Sequence, residues 1–78
     1  MPHVIVKLAA GKSEQQKMRL VEAITKSVTD IFGVKEEAVS VAMEEVQPHD
    51  CLEKVYKPDI KPNLDRLYKK PGYDEQDL

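Results

Sequence analysis

The apolar residues change their spacing twice within the first 43 positions, and this restricts the fold more than any other feature of the chain. Residues 3–8 place Val4, Val6 and Leu8 on one side and His3, Ile5 and Lys7 on the other. A period of two with β-branched content predicts a strand. Leu20, Val21, Ile24, Val28, Ile31 and Phe32 then recur at intervals of three and four, giving one stripe of a helix. From Ala38 to Met43 the alternation returns and predicts a second strand. Two strands flanking a long helix make a βαβ unit, so the strands should be parallel with a right-handed crossover.

Local signals set the boundaries. Gly11 breaks the first strand, and Ser13 with Gln16 matches a capping box, so the helix should start near Glu14. Gly33 suits the position just past its end. Asp50 with Glu53 marks a further helix start after Pro48. Helical spacing of Leu52, Val55, Tyr56, Ile60, Leu64, Leu67 and Tyr68 continues through Pro58 and Pro62. Those prolines should kink or divide the segment, with Pro62 suited to a first turn. Pro71-Gly72 ends it, and residues 73–78 read as an acidic, flexible tail. The predicted class is α/β (α+β): two parallel strands, a long crossover helix and a kinked C-terminal helix, in one domain spanning residues 1–78.

Seventy-eight residues cannot bury a large core unaided, and small folds rely on disulfides, a metal or a partner chain. Cys51 is the only cysteine, and with His3 and His49 it forms no zinc spacing. Oligomerisation is the remaining route, with a second subunit covering the sheet face that carries Ile5 and Ala42. The net charge of -2 gives no support to a nucleic-acid or membrane partner. The N-terminus lacks a basic region followed by a long apolar stretch, and an unpaired thiol fits the cytoplasm. Gly11-Lys12-Ser13 lacks the upstream glycine of a phosphate loop, since Val6 occupies that place.

Pro2, the alternating strand, Gly11-Lys12-Ser13 and the helix opening Glu14-Gln15-Gln16-Lys17 together resemble the 4-oxalocrotonate tautomerase family over roughly residues 2–46. The second half, with Val41, Gln47-Pro48 and the closing Lys69-Lys70-Pro71-Gly72-Tyr73, resembles its dimeric PptA-like subgroup. The resemblance implies a βαβ subunit whose sheet is completed by oligomerisation, as a homodimer in that subgroup, and a cofactor-free enzyme.

It also implies that Met1 is removed and that Pro2 becomes an N-terminal catalytic base. Physical chemistry makes this reasonable, because an α-amino group has a reference pKa of about 7.7–8.0 and an apolar pocket disfavours its charged form. With Met1 attached the same nitrogen is an amide without useful basicity. Such a base would interconvert keto and enol forms of small 2-oxo or enol carboxylic acids, making the enzyme an intramolecular oxidoreductase. Lys12 stands where most relatives carry a carboxylate-binding arginine, and Ser40 aligns with a second one; both become candidate substrate contacts. Lysine lacks the bidentate fork and serine lacks the charge, which favours a monocarboxylate over a dicarboxylate. Tyr56 is the candidate aromatic wall of the pocket. The competing readings are a solvated turn lysine for Lys12, exposure to solvent or a hydrogen bond across the sheet for Ser40, and core packing for Tyr56. His3 points to the other sheet face, and His49 and Cys51 carry no motif. Two alternatives stand beside the tautomerase: a hydratase or dehalogenase on the same scaffold, and a non-catalytic oligomeric interaction protein.

Overall fold

The first alternating run forms β1 (His3–Ala9), in which Val4, Val6 and Leu8 are half-buried and the residues between them exposed. The computed structural model describes all residues, Met1–Leu78. They fall into two compact units, Met1–Glu45 and Val46–Leu78.

In the first unit, α1 (Glu14–Phe32) follows a bend. Ser13 Oγ accepts from the Gln16 N–H at 3.1 Å and Gln16 Oε1 accepts from the Ser13 N–H at 3.0 Å, the reciprocal capping box. Gly33 closes the helix at φ 67°, its N–H donating to the Thr29 carbonyl at 3.0 Å. This left-handed cap is the conformation that favours glycine. The inward stripe is Lys17, Val21, Ile24, Thr25, Val28 and Thr29, all half-buried. Ile31 and Phe32, expected on the stripe, are 77% and 65% exposed.

The second strand, β2 (Ser40–Val46), starts two residues later than expected and runs three residues further. Residues Glu36–Ala38 wind into a single 3₁₀ turn, closed by Ala38 N–H to Lys35 and Val39 N–H to Glu36, each at 3.0 Å. That turn removes Ala38 from the strand. At the other end Glu44 and Glu45 interrupt the apolar pattern, yet each finds a lysine, Lys7 and Lys17 respectively.

β1 and β2 form a two-stranded parallel sheet. Its register appears in two cross-strand pairs with the same offset of 37, His3 with Ser40 and Lys7 with Glu44. Lys17 on α1 pairs with Glu45, which places the helix over the other face. The face bearing His3, Ile5 and Lys7 stays open, with Ile5 51% exposed. This unclosed sheet agrees with completion by a further subunit.

In the second unit a 3₁₀ turn, Pro48–Asp50, leads into α2 (Leu52–Ile60), a helix of the wide π type rather than an α-helix. Pro58 accounts for the winding, because its ring would clash with the carbonyl four residues back and it offers no N–H. Lys61 N–H bonds to the Tyr56 carbonyl, five residues back. Residues Lys61–Arg66 then tighten into a 3₁₀ segment with Pro62 in its first turn. The division at the prolines is as expected, but helical spacing stops short of Leu67 and Tyr68. Leu67 is extended and Tyr68 fully exposed. Tyr56 alone is buried, at 5% exposure, its ring centroid 6.2 Å from that of Tyr73. Residues 73–78 carry a short turn capped by Asp74, and Glu75 accepts an ion pair from Lys61 at 3.0 Å. No helix is long and apolar enough to cross a membrane.

Candidate active site

Pro2 sits immediately before β1, half-buried, on the side of the alternation shared by Val4, Val6 and Leu8. Its carbonyl accepts a hydrogen bond of 3.2 Å from the N–H of Ser40, the first residue of β2. The parallel register therefore brings Pro2 and Ser40, two of the four candidate residues, into direct contact. The Ser40 hydroxyl does not face open solvent alone; it shares a hydrogen bond of 2.6 Å with His3 Nδ1. Met1 is 89% exposed, so the bond whose cleavage would free the Pro2 nitrogen lies beside an accessible residue.

Lys12 lies beyond the far end of β1. The seven-residue strand separating it from Pro2 spans roughly 20 Å, so a single chain does not bring Lys12 to Pro2. Lys12 instead helps line a cavity of about 300 Å³ with Val6, Leu8, Gln16, Lys17 and Leu20. Two ammonium groups border this cavity, and they differ. Lys17 is claimed by Glu14 and Glu45, and hydrogen bonds to Glu14 first and Glu45 second push its pKa above the ordinary lysine value. Lys12 makes no ion pair. The cavity thus joins an apolar wall of Val6, Leu8 and Leu20 to the unpaired Lys12 ammonium.

Tyr56 belongs to the second unit, where its ring packs near Tyr73. Cys51 donates its thiol to the Gln47 carbonyl at 3.6 Å, and His49 stands 3.6 Å from Asp50 in the adjoining turn. No group of histidine, cysteine and carboxylate side chains could hold a metal ion. Two features are not specified by the sequence: His3 as the partner in the cross-sheet hydrogen bond open to Ser40, and the neutralisation of Lys17. The first could have been found by aligning the two strands in parallel with His3 opposite Ser40. The second needed the end of β2 at Val46.

A family model described as tautomerase enzyme matches residues 2–53 of the 78. The chain belongs to the tautomerase family. A probable tautomerase from Xylella fastidiosa is 44% identical over 94% of this chain and 89% of its own length. Tautomerase PptA of Pectobacterium carotovorum is 42% identical over 94% and 97%. Among solved structures, TomN, a 4-oxalocrotonate tautomerase homologue of the tomaymycin biosynthetic pathway, superposes with a TM-score of 0.61. It is 38% identical and the match covers 62% of this chain and 74% of that one. YwhB, another 4-oxalocrotonate tautomerase homologue, matches at a TM-score of 0.62 and 27% identity over 99% and 98%. The resemblance carried by Pro2, Gly11-Lys12-Ser13 and the helix opening is therefore a true family relationship, and tautomerases named PptA are among the relatives.

Proposed function

We propose that this tautomerase interconverts keto and enol forms of small 2-oxo carboxylic acids, with Pro2 as the general acid and base once Met1 is removed. The observation that carries the reading is the seat of Pro2: half-buried at the head of β1, its carbonyl held by Ser40, behind an exposed Met1. In the enol-forming direction the free amine takes a proton from the carbon beside the 2-oxo group. The C–H pair becomes the C=C bond, the carbonyl π pair moves onto oxygen, and that oxygen takes a proton from solvent to complete the enol. In ketonisation the protonated amine delivers a proton to carbon while the enol oxygen releases its own to solvent and the C=O bond re-forms. Partial burial favours the neutral amine and so the base at neutral pH.

Lys12 binds the substrate carboxylate in this reading, because its charge is unneutralised and borders an apolar cavity. Since one chain holds Lys12 a strand length away from Pro2, the Lys12 serving a given Pro2 belongs to a neighbouring subunit, and the working enzyme is a homo-oligomer, in the smallest case a dimer. Ser40 acts beside Pro2 by donating its N–H to the Pro2 carbonyl, and Tyr56 acts through the packing of its own unit. The reaction needs no cofactor.

The test compares three proteins by the ultraviolet absorbance of an arylpyruvate enol as it ketonises: Met1-free chain verified by mass spectrometry, Pro2→Ala, and a form retaining Met1. Activity in the first alone is expected. Equal activity in all three would overturn the role of Pro2.

A further inference from the structure

Ser40 touches both Pro2 and His3. Its N–H bonds the Pro2 carbonyl at 3.2 Å, and its hydroxyl bonds His3 Nδ1 at 2.6 Å. The side-chain pair lies on the open face of the sheet, opposite the face of Val4 and Val6. It therefore lies away from the side on which Pro2 follows the alternation, and it can influence Pro2 only through the backbone.

Chain ends fray unless they are tied down. Removing Met1 makes Pro2 the first residue, and its carbonyl is then its main tie to the ladder. The tie is made at the point where both strands begin: Ser40 opens β2 directly after the turn at Glu36–Ala38. A single backbone bond at the mouth of a two-stranded sheet leaves a terminal residue free to swing. A second, side-chain bond one residue further in stops that motion, as cross-strand pairs do along a ladder.

We infer that His3 and Ser40 form a clamp that fixes the position of the Pro2 amine, which makes them positioning residues for its chemistry. The inference rests on the proposed role of Pro2. An imprecisely held base loses rate rather than affinity, and misplacement by about 1 Å costs up to about a hundredfold.

The experiment uses Met1-free full-length protein uniformly labelled with ¹³C and ¹⁵N, with order parameters read at the Cα–H bonds of residues 2 and 3 and enol ketonisation as the kinetic readout. His3→Ala and Ser40→Ala should each lower kcat by about tenfold with KM nearly unchanged. In both, order parameters should fall at residues 2 and 3 only. His3→Asn, which keeps a hydrogen-bonding atom near the place of Nδ1, should restore kcat. If His3→Ala keeps full kcat while Pro2→Ala is inactive, the clamp is wrong and the Pro2 reading survives. If only Ser40→Ala loses activity, through a raised KM, Ser40 contacts substrate and the clamp is again overturned. Loss of kcat without rescue by Asn, accompanied by a changed circular dichroism spectrum, would reduce the pair to a fold element and reject it. If Pro2→Ala stays fully active, the Pro2 reading fails, and unchanged order parameters at residues 2 and 3 would then reject the clamp as well.

Discussion

Lys17, at the end of the first turn of α1, and Glu45, near the end of β2, form an ion pair that ties the helix to the sheet. The same ammonium is held by Glu14 at 2.7 Å, and the Lys17 side chain is only 15% exposed. Those carboxylates raise its pKa above the ordinary 10.5. A raised folded-state pKa gives stability that is fully present below 10.5 and is lost as pH climbs through the folded value. Lys17→Met should therefore unfold at lower urea than the parent at pH 8. The gap between the two should narrow as pH rises beyond 10.5, in denaturation curves taken at both ends of that range.

The two caps of α1 predict separate, additive losses. Ser13→Ala removes the acceptor for the Gln16 N–H and should cost about 1 kcal/mol. Gly33→Ala meets no atom within 4 Å of the added Cβ, so its cost is the left-handed backbone alone, about 1 kcal/mol. Urea titration should show a lower midpoint in each case with an unchanged slope.

Burial is too thin for an isolated chain. Tyr56 alone is buried, while Ile31, Phe32 and Ile5 are at least half exposed. Covering one such side chain is worth about 1.5–3 kcal/mol, a large share of the stability of a domain this small. Light scattering at micromolar concentration should report a dimer or larger species, and dilution should lower the thermal midpoint. A monomer with a concentration-independent midpoint would contradict the open-sheet reading.

Substrate charge should separate the Lys12 variants. A charge-assisted hydrogen bond contributes about 1.5–3 kcal/mol, so Lys12→Ala should reduce kcat/KM for a carboxylate-bearing enol by about 10- to 100-fold. A neutral enol should be unaffected. Lys12→Arg should match or exceed the parent on the acid, because the guanidinium can grip both oxygens. An unchanged ratio between acid and neutral substrate in Lys12→Ala would remove Lys12 from the site.

Features set by near neighbours were legible in the residues. The alternation of Val4, Val6 and Leu8, the Ser13–Gln16 box and the stop at Gly33 each depend on spacing within one element, and all three are in place. The break at Pro58 and Pro62 was legible for the same reason, because proline carries its own constraint. What failed depends on distant partners. Glu44 and Glu45 looked like the end of a strand until Lys7 and Lys17 were seen to receive them. Ile31 and Phe32 hold their helical spacing and still face outward, since periodicity names a stripe without saying what covers it. Pro58 announces a disturbance but does not specify a π-type answer. At the candidate site, Pro2 and Lys12 were readable as types in a pattern. Their separation by the length of β1 was implicit in the strand that joins them, whereas the His3–Ser40 bond needed the register between two strands.

The Pro2 nitrogen carries the proposed chemistry, and its ionisation can be observed directly. In Met1-free protein labelled with ¹⁵N-proline, an NMR titration should show the Pro2 amine losing its proton well below the α-amino reference of about 7.7–8.0, with the same midpoint in the pH profile of kcat/KM. A midpoint equal to that of a disordered peptide, or one unrelated to the rate profile, would contradict the account.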